Sequence, residues 1–148
     1  MNYRTILLVG APGAGKGTQG KILGTVPDFY HCSCGEVFRN LTIDSELGRI
    51  FVKHSSKGKL VPDRYTVQLW RENIEAQTQL GRFHPERDTL VLDGIPRNRH
   101  QAEMLQDALD VIAVFNFTCP DISKLVERLQ RRALRDNRLD DAIARPAC

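Results

Sequence analysis

The sequence predicts an α/β fold of three layers, with a parallel sheet held between helices. Three observations lead there. Four short runs rich in β-branched or aromatic residues alternate with helical patterns, so successive strands are joined by crossovers and lie parallel. Two of those runs, "TLVLD" at Thr89–Asp93 and "VIAVFNF" at Val111–Phe117, are apolar on both faces, as strands covered by helices must be. A loop of glycines and a lysine, "LVGAPGAGKGTQG" at Leu8–Gly20, falls between the first strand and the first helical pattern. A length of 148 residues suits about one domain with a real core.

In chain order, Met1–Val9 carries one arginine and a short apolar run. It resembles a weak signal peptide, but glycines cut the run and no cleavage-type end follows, so Thr5–Val9 is read as the first strand. Phe29–Cys32 is the second. From Ser33 to about Arg87 the chain reads as helical: Phe38, Leu41, Leu47, Phe51 and Val52 suit a small helical insertion. "SSKGKLVPD" interrupts it, and Tyr65–Thr78 follows as a longer amphipathic helix. After the strands Thr89–Asp93 and Val111–Phe117, Pro120 suits the first turn of a last helix. Ile122, Leu125, Val126 and Leu129 recur there at helical spacing and are expected to pack on the sheet. Arg128, Arg132 and Arg135 form a separate row on that helix. Such a row is often only a solvated face, although three cations in line repel one another and an anion would relieve that.

An apolar content of 41%, a charged content of 26% and a net charge of +3 describe an ordinary globular chain. The balance calls for neither nucleic acid nor an anionic membrane, because basic residues cluster only locally, from Arg128 to Arg138. No segment approaches membrane-spanning length. Cys32, Cys34, Cys119 and Cys148 lack the spacing and partners of a zinc site, and are read as reduced thiols in a cytoplasmic protein.

The glycine loop carries the chemistry. Gly10-x4-Gly15-Lys16 follows a strand and precedes a helix, the context of a phosphate-binding loop. Glycines let backbone N–H groups turn inward around phosphate oxygens, and the helix that follows aims its positive end at the same anion. The position after the lysine is Gly17, and the hydroxyl comes one later, at Thr18. A turn that binds nothing is the alternative, and strand, spacing, lysine and helix together argue against it.

With that departure, "GAPGAGKGTQ" resembles the nucleoside monophosphate kinases, adenylate kinases above all. Other stretches follow in the family's order: "CSCGEVFRNL" and "GKLVPD" are similar to its acceptor-nucleotide segments, "VLDGIPRNRHQAEML" to its "LLDGFPRT…QAE", and "RLQRRALRDNRLDD" to its arginine-bearing lid hinge. The resemblance covers essentially the whole chain. It implies a three-layer P-loop nucleoside-triphosphate-hydrolase-like core, residues 1–32 and 62–148, an acceptor-binding insertion, residues 33–61, and a minimal lid, residues 132–138. That lid leaves no room for the zinc-bearing insertion of long relatives.

The resemblance also implies the reaction, phosphoryl transfer from MgATP to AMP giving two ADP, and a role for each matched residue. Lys16, Arg97, Arg132 and Arg138 would surround the transferred group. Gly13, Ala14, Gly15, Lys16, Gly17, Thr18 and Arg128 would hold ATP. Cys34, Arg39, Lys59, Leu60, Val61, Gly94, Arg97 and Gln101 would hold AMP. Asp93 and Thr18 would meet magnesium through its waters. Arginine forks suit phosphate bidentately, so the residue types are chemically sensible. Asp93 could instead be a buried carboxylate capping its loop, and Gln101 an exposed helix residue rather than a reader of the base.

Three departures stand out. Cys34 replaces a threonine against the acceptor base, Glu36 an aspartate and Ile95 a phenylalanine. The first bears on base choice: pyrimidine-preferring relatives carry alanine there, so a UMP or CMP kinase is the alternative. Cys34 is expected beside the base, shielded by AMP from thiol reagents, and Cys34→Thr is expected to sharpen the preference for AMP over CMP. Family members continue after the "DD" with a further helix, strand and helix, so the end at Cys148 reads as a truncation that omits the family's last strand. On that reading Val111–Phe117 becomes an exposed edge prone to self-association in a family usually monomeric, and nucleotide binding with little turnover is a further alternative.

Overall fold

The computed structural model of the chain describes residues 2–136. Ten elements alternate as expected: β1 (Tyr3–Gly10), α1 (Lys16–Leu23), β2 (Phe29–Ser33), α2 (Cys34–Arg39), α3 (Glu46–Ser55), α4 (Asp63–Gln79), β3 (Thr89–Asp93), α5 (Arg99–Leu105), β4 (Leu109–Phe117) and α6 (Ile122–Asp136). The strands form one sheet in the order β2-β3-β1-β4, parallel throughout. Thr5 lies opposite Leu90 and Leu8 opposite Asp93, so β1 and β3 end side by side. The chain leaves β1 in one direction to build β2 and β3 and in the other to build β4. Open parallel sheets bind ligands at such a reversal, beyond the carboxyl ends of the strands.

The alternation of side chains along the strands divides the core. Leu90 and Leu92 of β3 pack with Val67, Trp70 and Ile74 of α4, Leu105 of α5 and Phe83. Val91, one residue out of phase, joins Ile6 and Leu8 on the other face, where Leu23 of α1 covers them. Helices on both faces make three layers. On α4, Val67, Trp70 and Ile74 recur at three and four residues, which puts all three on one stripe.

Two expectations need correction. The two-sided apolar pattern of Val111–Phe117 suits cover on both faces, whereas the reading without a further strand made it an exposed edge; Val111, Ile112, Val114 and Phe115 are exposed, as the second has it. Among the described strands β4 pairs only with β1, at the edge of the sheet, so its apolar pattern does not correspond to burial. The apolar stripe of α6 was expected on the sheet. The Leu125 carbonyl and the Leu129 side chain lie close to where a Cβ on Gly13 would stand, and Ile122 is 62% exposed. The helix therefore passes over the glycine loop at Gly13, and its stripe is only partly covered.

A close approach joins α1 to β2. A Cβ at Gly20 would run into Nε2 of His31, whose side chain is almost wholly buried. Gly20→Ala is expected to cost about 1–3 kcal/mol through this overpacking. A lower urea midpoint at an unchanged slope is the expected readout, and an unchanged midpoint would show that His31 moves aside freely.

Candidate active site

The glycine loop needs its glycines for conformation. Gly10, Gly13 and Gly15 have φ of 142°, 82° and 108°, which side chains rarely adopt. A Cβ at Gly10 would also strike the carbonyl of Phe117, whereas one at Gly15 would meet nothing, so the loop is open above that residue. Gly15 leads directly into α1 with no side-chain cap, leaving the first N–H groups of the helix for an anion. Lys16 folds back over the loop, its Nζ donating to the carbonyls of Gly10 at 2.7 Å and Ala11 at 3.1 Å. Thr18 is exposed on the first turn of α1.

Asp93 closes β3 and is 7% exposed. Its Oδ2 lies 3.7 Å from Nε2 of His31 and 3.7 Å from where a Cβ on Gly17 would stand. Glycine after the lysine thus leaves the carboxylate open to the loop. Burial lowers the Lys16 pKa, Asp93 raises it, and Arg97 and Arg132 lower it further. Lys16 thus feels the charges of Asp93, Arg97 and Arg132, up to 116 residues away in sequence. His31 belongs to this neighbourhood and was not foreseen. Its trace in the sequence is indirect: Gly20 and Gly24, one helical turn apart, both leave room for its side chain.

Behind this cluster the turn after β3 adds a second group. Gly94, at φ 87°, accepts a hydrogen bond from Nε of Arg97 at 2.8 Å. Cys34, at the head of α2, lies within ordinary contact of a Cβ position on Gly94. Arg97 itself is exposed, and its backbone N–H donates to Oε1 of Gln101 at 2.8 Å. Gln101 is 4% exposed, so the exposed-helix alternative does not hold. Its amide is engaged at both ends, since Nε2 donates to Asp63 at 2.7 Å.

The remaining expected residues are placed less centrally. Arg39 is exposed and lies over Gly35, Lys59 is exposed with its N–H on the His54 carbonyl, Val61 is half-buried, and Leu60 is 94% exposed. Arg128 reaches the Gly13 carbonyl with Nη1 at 3.4 Å, while Ala14 bonds back to Ala11 within the loop. Arg138 lies outside the described residues.

The thiol expectation is corrected. Cys34 is 1% exposed, and burial pushes its pKa up to about 12; burial does the same for Cys32. A reagent that needs an accessible thiolate has no target at either position in this fold. Mass spectrometry after iodoacetamide treatment at pH 8 is therefore expected to find Cys32 and Cys34 unmodified in the folded chain. Rapid alkylation of either one would contradict this burial.

Among the described residues, no three or more His, Cys, Asp or Glu side chains gather to grip a metal. A single buried carboxylate at the strand end, Asp93, instead suits a divalent cation that keeps most of its waters. No helix among the described residues is long and apolar enough to cross a membrane.

A family model for adenylate kinase matches residues 8–144. The chain belongs to the adenylate kinase family. An adenylate kinase of Thermobifida fusca is 36% identical over 144 residues, covering 92% of this chain and 71% of the relative. One from Borrelia duttonii is 37% identical over 130 residues, covering 87% and 57%, and one from Streptomyces coelicolor is 36% identical over 138 residues, covering 89% and 60%. The chain thus spans little more than half the length of several relatives it matches. The family accounts for the three-layer α/β fold, with a parallel sheet and a glycine loop after its first strand.

Proposed function

We propose that the chain is a nucleoside monophosphate kinase that moves the γ-phosphoryl group of MgATP to AMP and yields two ADP. The observation that carries this is the open glycine loop at the strand ends, with Lys16 folded over its carbonyls and Asp93 beside Gly17; Arg97 and Arg132 add positive charge felt at Lys16. Phosphoryl transfer needs little covalent help from a protein: it needs two phosphates held in line and positive charge around the group in flight.

On this reading the loop from Gly13 to Thr18 and the head of α1 hold the donor phosphates, with Arg128 beside them. Lys16 leaves the Gly10 and Ala11 carbonyls to neutralise the transferred group, joined by Arg132 and Arg138. Arg97 and Arg39 hold the acceptor phosphate so that its oxygen attacks the γ-phosphorus as the bond to the β-phosphate oxygen breaks. Cys34, Lys59–Val61, Gly94 and Gln101 surround the acceptor base. Asp93 and Thr18 orient the waters of magnesium, which, when bound with ATP, neutralises charge on its phosphates. Residues 33–61 serve as the acceptor-binding insertion and residues 132–138 as a short lid. A cytoplasmic location goes with this reading.

Coupled formation of ADP from ATP and a panel of AMP, UMP and CMP tests it. AMP is expected to be the best acceptor. A better rate with a pyrimidine would move the substrate class, and no ADP from any of the three would overturn the proposal.

A further inference from the structure

We infer that Asp63 is a positioning residue that fixes which way round the Gln101 amide is presented and thereby selects acceptor bases carrying an amino group over those carrying an oxo group. This rests on the proposed acceptor role of Gln101. An amide can read a base either way round, because turning it by half a revolution exchanges its donor and its acceptor. Here both neighbours are chemically one-sided. A backbone N–H can only donate, and the Arg97 N–H stands 2.8 Å from Oε1. An ionised carboxylate can only accept, and Asp63 Oδ1 stands 2.7 Å from Nε2. Turning the amide over would set oxygen against carboxylate and NH2 against N–H, and both contacts would become repulsive.

The carboxylate is itself held. His100 Nδ1 approaches Oδ2 at 3.1 Å, and Asn98 Nδ2 bonds both oxygens at 3.2 and 3.3 Å. These bonds, with that of Gln101, keep its carboxyl below the usual carboxylate range. Asn98 is oriented by the same logic, since its Oδ1 accepts the backbone N–H of Gln101 at 2.8 Å. The side chains of Asp63 from α4 and of Asn98 and Gln101 from the head of α5 thus admit one consistent arrangement of donors and acceptors.

After these bonds the Gln101 amide retains one N–H and one oxygen lone pair, in a set order. Adenine offers an amino donor beside a ring-nitrogen acceptor, and a bidentate amide matches that order. Hypoxanthine has the same shape with a carbonyl acceptor beside an N–H donor, so the order is reversed. A freely turning amide would serve both bases, whereas a fixed one serves the first.

Equilibrium titration of the 148-residue chain with AMP and with IMP, by calorimetry, tests this. The parent is expected to favour AMP by about ten- to a hundredfold, the range of one good bidentate pair. Asp63→Asn, which can donate as well as accept, is expected to bring that ratio close to one while ATP affinity stays the same. Asp63→Ser, which keeps a small polar side chain and removes the fixed acceptor, gives the same result. A purely structural role would weaken AMP and IMP together at a constant ratio, and that outcome overturns the inference. Side-chain amide NMR without nucleotide provides the second readout: the Gln101 NH2 pair is expected to exchange slowly in the parent and to join the exposed amides in both variants. A parent that binds neither nucleotide but shows the protected amide pair refutes the acceptor reading and base selection with it. AMP binding with an unprotected pair refutes the inference alone.

Discussion

Lys16→Met is expected to lower phosphoryl transfer by about a thousandfold or more and to leave the fold intact. The side chain lies over an open loop and, among the described residues, hydrogen-bonds the carbonyls of Gly10 and Ala11, so the core loses no packing when it is replaced. Methionine keeps the length of the stem and removes the charge. Without that charge the transferred group, in which negative charge is spread over three oxygens, loses its nearest mobile cation. Partial burial and two neighbouring arginines already weaken the hold of Lys16 on its proton, and Asp93 offsets this. The lysine therefore sits where a negative phosphate is the partner that relieves its crowding. A coupled ADP assay and a urea transition together make the test. A rate within tenfold of the parent, with an unchanged midpoint, would remove Lys16 from the reaction.

Arg97→Ala is expected to cost about three to five orders of magnitude in rate, the range seen when an arginine facing a moving phosphoryl group is lost. Here geometry separates two roles within one residue. The backbone N–H of Arg97 orients Gln101, and alanine retains it. The guanidinium is anchored by Nε on the Gly94 carbonyl, which fixes the plane of the fork beside the head of α2. Truncation thus removes the phosphate contact while leaving the base-reading amide in place, so kcat falls much further than the AMP-to-IMP binding ratio changes. Arg97→Lys restores little, since an ammonium cannot reproduce a planar two-point grip. A single-turnover measurement separates transfer from release, and a rate in Arg97→Ala within tenfold of the parent contradicts the assignment.

Much of the molecule was legible because its signals are local. Thr89–Asp93 was bounded correctly from an unbroken apolar run between turn residues, and the other three strands were found with short errors at their ends. The glycine loop was readable because three of its glycines occupy conformations other residues avoid, a constraint written into the loop itself. α4 was visible from its apolar spacing, apart from its first turn: Pro62 and Asp63 start the helix two residues before the expected Tyr65.

Other features depended on what surrounds them. The apolar pattern of β4 implied two covered faces, but burial belongs to neighbours, and four of its apolar residues are exposed. The thiol of Cys34 looked available for the same reason: identity at a position says nothing of depth, and α2 and the Gly94 turn bury it.

Local pattern established the α/β alternation, the phosphate loop and the order of motifs that marks the family, because each rests on residues a few positions apart whose backbone conformations or burial period are set at short range. The tertiary structure alone decided how the site is wired. His31 reaches Asp93 across 62 positions, and Asp63 reaches Gln101 across 38. Contacts of such span leave no period or spacing to read: they exist only once parallel pairing sets β2, β3 and β1 side by side and the packing of α4 against α5 brings a carboxylate to an amide.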